Sequence, residues 1–195
     1  MRNPVEEFER QYQALGDPWD LATSPYEQER YASTLAALPR ARYARALELG
    51  ASIGVLSERL APRCDRLITL EPAPTAVRAA RARLADSTHV DVRHGSAPED
   101  MPDGPFDLVV ASEVLYYFSE DELDGVLDAI EHRLEGELVA AHWRGLGTHQ
   151  LTGGQVHARL RERFTRVAGA NRAGYELEVF IAPAALGRVG RRAVG

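Results

Sequence analysis

Two helices are predicted near the start of the chain from the spacing of its apolar residues. The apolar positions are Val5, Phe8, Tyr12 and Leu15. Intervals of three and four residues place them on one face and predict a helix over 5–15. A helix-start signal at 23–25 then predicts a second helix over 26–38. These two helices precede every strand that we predict.

Beyond residue 40 the pattern changes to short apolar runs that alternate with helical segments. The predicted strands cover 45–49, 66–70, 89–93, 106–111, 137–142, 164–169 and 175–181, and the predicted helices cover 53–60, 74–84, 120–134 and 152–163. Strict alternation of strands and helices predicts an α/β fold, with a mostly parallel sheet and helices on both faces. The last two strands are joined by a short link, so they are expected to pair antiparallel.

Composition narrows the class of protein. A chain of 195 residues suits one domain, which we predict over 1–186 with a helical cap at 1–40, a core at 41–186 and a flexible tail at 187–195. The net charge of −6 makes nucleic acid an unexpected partner. A single cysteine, Cys64, fits a reducing compartment. The chain shows neither a membrane span nor a signal peptide, so a cytoplasmic protein is expected.

Ligands of open α/β sheets bind beyond the carboxyl ends of the strands, so candidate site residues are expected directly after each predicted strand. The first predicted strand is followed by Gly50, which permits a tight turn, and by Gly54, which permits close packing of the next helix. Glu71 ends the second strand, where a carboxylate can accept hydrogen bonds from both hydroxyls of a ribose. Ser96 and Ala97 follow the third strand and offer hydrogen bonds to an adenine. Each feature also has a plain structural interpretation as a turn, a helix cap or a loop.

Polar groups also follow the fourth and fifth strands. Ser112 and Glu113 precede a group of aromatic residues that includes Tyr116, an arrangement typical of a pocket with apolar walls. His142 ends the fifth strand and is a candidate proton acceptor, although a purely structural histidine is equally compatible with this position. His149, in the loop that follows, is a weaker candidate. The cysteine and histidine spacing does not suggest a metal site.

Five stretches together resemble the Rossmann-like S-adenosylmethionine-dependent methyltransferases, and in particular the nodulation protein S-like family. They are DPW at 17–19, YEQERY at 26–31, ALELGASIG at 46–54, SEVLYY at 112–117 and HWR at 142–144. The resemblance implies a three-layer fold with a seven-stranded sheet of order 3-2-1-4-5-7-6 and an antiparallel last strand. It also implies S-adenosyl-L-methionine as cofactor and S-adenosyl-L-homocysteine as product.

The resemblance assigns roles to individual residues. By resemblance, Glu48 and the turn from Gly50 to Gly54 hold the methionine part of the cofactor, Glu71 holds the ribose, and Ser96 with Ala97 meets the adenine. The full set of implied cofactor contacts is Trp19, Tyr31, Glu48, Gly50, Ala51, Ser52, Gly54, Glu71, Pro72, Ser96, Ala97, Ser112, Glu113 and Val114. The catalytic candidates are His142, Glu113 and Tyr116, taken from the residues that follow the fourth and fifth predicted strands. Trp19 and Tyr31 would belong to an N-terminal cover.

The predicted activity is methyl transfer to a small acceptor, most simply an amine of an amino sugar, an oligosaccharide or a natural product. A hydroxyl acceptor is also compatible with the sequence, and it would need a base. The same glycine turn and Glu71 would suit a nicotinamide-dependent oxidoreductase, although the G-x-G-x-x-G motif of that class is missing here. A non-catalytic protein that keeps the cofactor pocket is a third hypothesis. A monomer or a weak homodimer is expected.

Overall fold

The computed structural model describes residues 4–145, 147, 149–172 and 174–182. The chain forms two compact units, Met1–Met101 and Pro102–Gly195. The division into a cap at 1–40 and a core at 41–186 stays a prediction, and the predicted tail at 187–195 lies outside the described residues.

The first unit holds two N-terminal helices followed by three strands with helical connections. Its elements are α1 (Pro4–Leu15), α2 (Pro25–Ala37), β1 (Ala46–Leu49), α3 (Val55–Leu60), a 3-10 turn (Ala61–Arg63), β2 (Leu67–Glu71), α4 (Pro74–Arg83) and β3 (Val90–His94). Strand β2 pairs in parallel with both β1 and β3. Every residue of β1 and β2 is buried, as expected for parallel strands that are covered on both faces.

The second unit contains the remaining four strands. Its elements are β4 (Phe106–Ser112), a 3-10 turn (Leu115–Tyr117), α5 (Glu120–Arg133), β5 (Leu134–Trp143), α6 (Gly153–Arg163), β6 (Thr165–Asn171) and β7 (Tyr175–Ile181). Strands β4 and β5 are parallel, whereas β7 is antiparallel to both β5 and β6. Helix α6 begins at a capping box formed by Thr152 and Gln155, which defines its first turn.

The seven strands follow the order β3-β2-β1-β4-β5-β7-β6 in the sheet. This order and the antiparallel β7 confirm the predicted fold class. Among the described residues, no helix is long and apolar enough to cross a membrane.

Two element boundaries differ from the sequence-based expectation. Helix α3 begins at Val55 rather than at residue 53, because Ser52 and Gly54 adopt left-handed backbone conformations with φ of 50° and 81°. Strand β5 begins at Leu134, directly after α5, rather than at residue 137. The pairing with β4 shifts register here, and a Cβ on Gly136 would lie 2.0 Å from the carbonyl oxygen of Asp107. Glycine thus permits a close approach of two strands that the apolar pattern did not indicate.

Candidate active site

The turn after β1 requires glycine at two positions, for different structural reasons. Gly50 has a φ of 72°, which the sharp exit from the strand requires. A Cβ on Gly54 would lie 3.1 Å from both Cα and Cβ of Ala80, so this glycine lets the start of α3 approach α4. The close neighbour is therefore a helix, whereas the sequence suggested the strand. Ala51 is buried in the same turn.

Glu71 links the ends of β2 and of this turn. One of its carboxylate oxygens accepts a hydrogen bond from the Ser52 amide at 2.8 Å, and the other accepts one from the Ala73 amide at 2.9 Å. The residue is only 5% exposed. A carboxylate has about four lone-pair sites, so both oxygens can still accept hydrogen bonds from a ligand. The ribose interaction predicted for Glu71 is chemically compatible with this geometry.

Glu48 is a second buried carboxylate in the same unit. It accepts a hydrogen bond from the Ser57 hydroxyl at 2.5 Å. Burial raises the pKa of Glu48 to about 7, opposed by the Ser57 bond and reinforced by the charge of Glu71. Burial likewise raises the pKa of Glu71 to about 7, although its backbone hydrogen bonds and the charge of His94 act in the opposite direction. Two carboxyl groups near Gly50 are thus poised to lose a proton near neutral pH.

These raised pKa values predict a pH dependence of stability. A carboxyl group with a folded pKa near 7 and an ordinary value of 4.5 binds more protons in the folded than in the unfolded state between these two pH values. The free energy of unfolding of the cofactor-free protein should therefore fall as pH rises from about 4.5 to about 7, by no more than about 3 kcal/mol for each carboxyl group. Urea unfolding at several pH values measures this effect.

A matched pair of variants isolates the contribution of Glu48. Glu48→Gln should show a smaller loss of stability over this pH range than wild type, because its amide does not titrate. The exposed Glu58, changed to glutamine, should follow the wild-type curve. Identical pH curves for wild type and Glu48→Gln would contradict the raised pKa.

Helix α1 contacts the turn directly. The Tyr12 hydroxyl lies 2.5 Å from Oγ of Ser52, and Glu9 accepts hydrogen bonds from the amide and hydroxyl of Thr75 at 2.9 and 2.6 Å. Sequence reasoning placed Tyr12 on the apolar face of a helix and missed this polar contact, because the two partners lie far apart in the chain. Trp19 packs edge to face on Tyr12, with ring centroids 5.3 Å apart.

Tyr31 lies in the same unit on α2. Its ring is buried, with the guanidinium carbons of Arg30 and Arg59 at 5.0 and 5.3 Å from its centroid. Burial raises the pKa of Tyr31, and the charge of Glu48 contributes in the same direction. The role of Tyr31 in an N-terminal cover stays a prediction.

The loop after β3 folds back onto the end of β2. The Gly95 amide donates to the carbonyl of Glu71 at 3.1 Å, and a ring nitrogen of His94 lies 3.0 Å from the carbonyl oxygen of Pro72. The Ser96 amide donates to Asp100 at 2.9 Å, and Ala97 is buried. Asp100 was not predicted, and its carboxylate accepts the hydrogen bond of the Ser96 amide.

In the second unit, Glu113 follows β4 in a strained conformation. Its φ is 57°, a value that side-chain-bearing residues rarely adopt. Its amide donates to the carbonyl of Ala141 at 2.8 Å, and its carboxylate accepts a hydrogen bond from the Tyr116 hydroxyl at 2.6 Å. Backbone strain of this kind concentrates at functional sites. The structure thus brings together two of the predicted catalytic residues, with Ser112 and Val114 on either side of Glu113.

Aromatic rings surround this pair. Tyr116 stacks on His149 with centroids 4.0 Å apart and an interplanar angle of 17°. Tyr117 and Trp143 meet His149 edge to face at 5.0 and 6.1 Å. Burial lowers the pKa of His149, which keeps its imidazole neutral at physiological pH. His149 was the weaker candidate than His142 because it was expected in a loop rather than at the end of a strand.

His142 is enclosed in the second unit, with both ring nitrogens in hydrogen-bond contact. The residue is fully buried, its Nε2 lies 3.2 Å from the Leu115 amide, and its Nδ1 lies 3.2 Å from Nε2 of His157. An amide can only donate, so the lone pair of Nε2 is already used. This geometry favours a structural role for His142 beside Leu115, and its predicted role as a general base stays a prediction.

Comparison with known proteins identifies relatives of the chain. The profile of the family described as nodulation protein S (NodS) matches residues 2–139. Nodulation protein S of Sinorhizobium fredii (strain NBRC 101917 / NGR234) is 34% identical over 163 residues, which cover 80% of this chain and 68% of that protein. The protein of the same name from Bradyrhizobium diazoefficiens is 39% identical over 113 residues, or 55% of this chain and 52% of that protein. The chain thus spans between about half and about two thirds of the length of these relatives.

A solved structure extends this match to the fold and the cofactor. The N-methyltransferase NodS from Bradyrhizobium japonicum WM9, in complex with S-adenosyl-L-homocysteine, superposes with a TM-score of 0.85 at 28% identity, covering 93% of this chain and 100% of that one. This match confirms S-adenosyl-L-methionine as the predicted cofactor and favours methyl transfer over an oxidoreductase. The chain belongs to the nodulation protein S family of S-adenosylmethionine-dependent methyltransferases.

Proposed function

We propose that this protein transfers a methyl group from S-adenosyl-L-methionine to the amine nitrogen of a small acceptor, such as an amino sugar, an oligosaccharide carrying one, or a natural product. The observation that carries the proposal is the pair of Glu113 and Tyr116 at the end of β4, hydrogen-bonded at 2.6 Å and bordered by aromatic rings. A carboxylate beside aromatic faces suits an acceptor that carries a positive charge before it is deprotonated. The structural relative from Bradyrhizobium japonicum is an N-methyltransferase, which supports the same choice.

The first unit fits the cofactor. Glu71 can accept hydrogen bonds from ribose hydroxyls with the lone pairs that Ser52 and Ala73 leave. Glu48 is buried beside the turn and can oppose the positive charge of the methionine part. The backbone at Gly50 has no side chain to hinder a ligand. The resemblance adds Ser112, Glu113 and Val114 as cofactor contacts in the second unit, and these stay predictions.

The chain's own residues have a limited chemical task. When bound, S-adenosyl-L-methionine supplies a methyl group that its sulfonium already activates, so the protein must mainly orient an unprotonated acceptor nitrogen. Glu113 can hold the acceptor through a charge-assisted hydrogen bond, with Tyr116 fixing the direction of its carboxylate. His149 stacks on Tyr116, so its imidazole lies beside this pair and can accept the proton that an ammonium must lose.

A methyl-transfer assay with product identification by mass spectrometry tests the proposal. The acceptor panel pairs each amine with its N-acetylated counterpart, for example glucosamine with N-acetylglucosamine and a partly deacetylated chitooligosaccharide with the fully acetylated one. We expect methylated products from the free amines alone. Methylation of the N-acetylated members would instead establish a hydroxyl acceptor and overturn the proposed N-methylation.

Two further expectations belong with this proposal. The buried free Cys64 is compatible with a reducing, cytoplasmic location. We also expect the protein to be a monomer or a weak homodimer. Its expected partner is a small molecule, and neither nucleic acid nor a membrane. Light scattering at several protein concentrations would measure the oligomeric state.

A further inference from the structure

A continuous chain of buried hydrogen bonds connects the 3-10 turn at Leu115–Tyr117 with β7. The Leu115 amide nitrogen lies 3.2 Å from Nε2 of His142. Nδ1 of His142 lies 3.2 Å from Nε2 of His157 on α6, and Nδ1 of His157 lies 2.8 Å from Oε2 of Glu178 on β7. Both imidazoles are fully buried. We call these four groups the histidine relay.

The polarity of the relay follows from the chemistry of its two ends. An amide N–H can only donate, so Nε2 of His142 must accept, and a neutral His142 then carries its proton on Nδ1. That proton is donated to Nε2 of His157, which leaves Nδ1 of His157 protonated and donating to Glu178. A carboxylate at the far end accepts this bond. All three hydrogen bonds are therefore consistent with one arrangement of protons.

Glu178 is held as the ionised acceptor by arginines. Burial by itself raises the pKa of Glu178, but the hydrogen bonds from His157 and Arg161 together lower it below its usual value. Arg161 donates to Oε1 of Glu178 at 3.1 Å, and Arg166 forms an ion pair with the same oxygen. Guanidinium groups only donate, so Oε1 must accept and Oε2 is left for His157.

The near end of the relay supports the candidate acceptor site. Leu115 is the first residue of a 3-10 turn, so its amide has no partner within the turn. A buried amide of this kind needs an acceptor, and His142 provides it. The same short segment carries Glu113 and Tyr116, and the Tyr116 carbonyl accepts a hydrogen bond from the Leu151 amide at 3.1 Å. Loss of the Leu115 bond would release the turn that orients both residues.

We propose that His157 and Glu178 are positioning residues for methyl transfer: they hold His142 in its Nδ1-protonated form, which anchors the Leu115 amide and thereby aims Glu113 and Tyr116 at the acceptor. The consequence for turnover rests on the proposed function, whereas the protonation pattern of His142 does not. The two parts of the inference can therefore be measured separately.

A metal site is the competing interpretation of the same residues. Ligand atoms of His157, Glu176 and Glu178 lie within 4.8 Å of one another. Two arginines, however, already donate to these carboxylates: Arg161 contacts both glutamates, and Arg166 contacts Glu178. A cation would have to displace two guanidinium groups, so the relay is the better account of the cluster.

Glu178→Gln tests the relay by reversing its polarity without changing its shape. The amide oxygen should stay with Arg161 and Arg166, which turns the NH2 group towards Nδ1 of His157. His157 must then accept there and donate from Nε2, which forces His142 to carry its proton on Nε2, facing the Leu115 amide. Glu176→Gln is the matched control, because Glu176 is buried on the same strand and also pairs with Arg161 but lies outside the relay.

Nitrogen-15 chemical shifts of the His142 ring report its protonation and need no acceptor substrate. We expect Nδ1–H in wild type and Glu176→Gln, and Nε2–H in Glu178→Gln. For the amine substrate, kcat should fall about 10- to 100-fold in Glu178→Gln, as a small misplacement of orienting groups predicts. Affinity for S-adenosylhomocysteine should fall by much less than kcat, because Glu48 and Glu71 of the first unit lie outside the relay.

His157→Gln provides a second variant in case Glu178→Gln unfolds. Its amide oxygen can accept from Nδ1 of His142, so the Nδ1–H form and most of the turnover should persist. An Nε2–H ring in wild type, or equal kcat in Glu178→Gln and Glu176→Gln, overturns the inference. If the wild-type protein methylates no amine, the proposed function is wrong. The nitrogen-15 prediction is independent of that result.

Discussion

Replacing Glu71 with alanine is expected to weaken binding of S-adenosylhomocysteine by at least about 100-fold. Each hydrogen bond to a charged group contributes about 1.5–3 kcal/mol, and the proposed ribose contact uses two of them. The change also removes the acceptor for the Ser52 and Ala73 amides, which disturbs the turn that meets the cofactor. Isothermal titration calorimetry at pH 8, above the raised pKa of Glu71, measures the loss directly.

Glu58→Ala is the control for this measurement. Glu58 lies on α3 in the same unit, pairs with Arg83 and is half exposed, so its loss should leave cofactor affinity unchanged. Thermal unfolding of both variants shows whether each is still folded, so that weaker binding by a folded variant can be assigned to the lost contacts. Binding within about threefold of wild type by a folded Glu71→Ala protein would remove Glu71 from the cofactor site.

Glu113→Gly is the second variant for which we expect a large effect. Its loss of turnover should be larger than its loss of stability. A residue with side chain in the left-handed region costs about 1–2 kcal/mol, whereas glycine adopts it freely but loses about 0.5–1 kcal/mol in backbone entropy. The backbone change should therefore favour glycine by at most about 1 kcal/mol, which offsets part of the loss of about 1.5–3 kcal/mol that comes with the Tyr116 hydrogen bond. Without the carboxylate that Tyr116 orients, kcat for the amine acceptor should fall by about 100-fold.

Two companion variants divide this loss between charge and hydrogen bonding. Glu113→Gln keeps an oxygen that can accept from Tyr116 but removes the charge that would hold an ammonium. Tyr116→Phe keeps the charge and removes its orienting hydroxyl. Steady-state kinetics and urea unfolding measure all three. A Glu113→Gly protein with near wild-type kcat would show that Glu113 takes no part in acceptor binding.

Much of the fold was predictable because its signals are local. The continuous apolar run of β4 was expected over 106–111 and is found at Phe106–Ser112. The turn after β1 was predicted from Gly50 and Gly54, and both do adopt positive φ angles. Strand β5 was predicted to start too late because its first residues pair at a register shift with β4, and pairing depends on the partner strand.

The contacts of the site were less predictable because they join distant positions. Ser52 meets Tyr12 across 40 residues and Glu71 across 19 residues. Single positions in α1 and β2 carry no signal for such partners. The sequence predicted a ribose contact for Glu71, but it contained no sign that this carboxylate would also support the turn.

The sequence by itself determined the succession of strands and helices, because periodicity is a property of neighbouring residues. Its five motifs resembled those of the family, and this resemblance implied the cofactor. Only the tertiary structure decided which groups surround His142. The sequence placed a histidine at the end of a strand, where a base was the natural hypothesis. Folding surrounds it with the Leu115 amide and His157, which in turn contacts Glu178. Burial and donor polarity set which nitrogen carries the proton, and both depend on elements that are brought together across the chain.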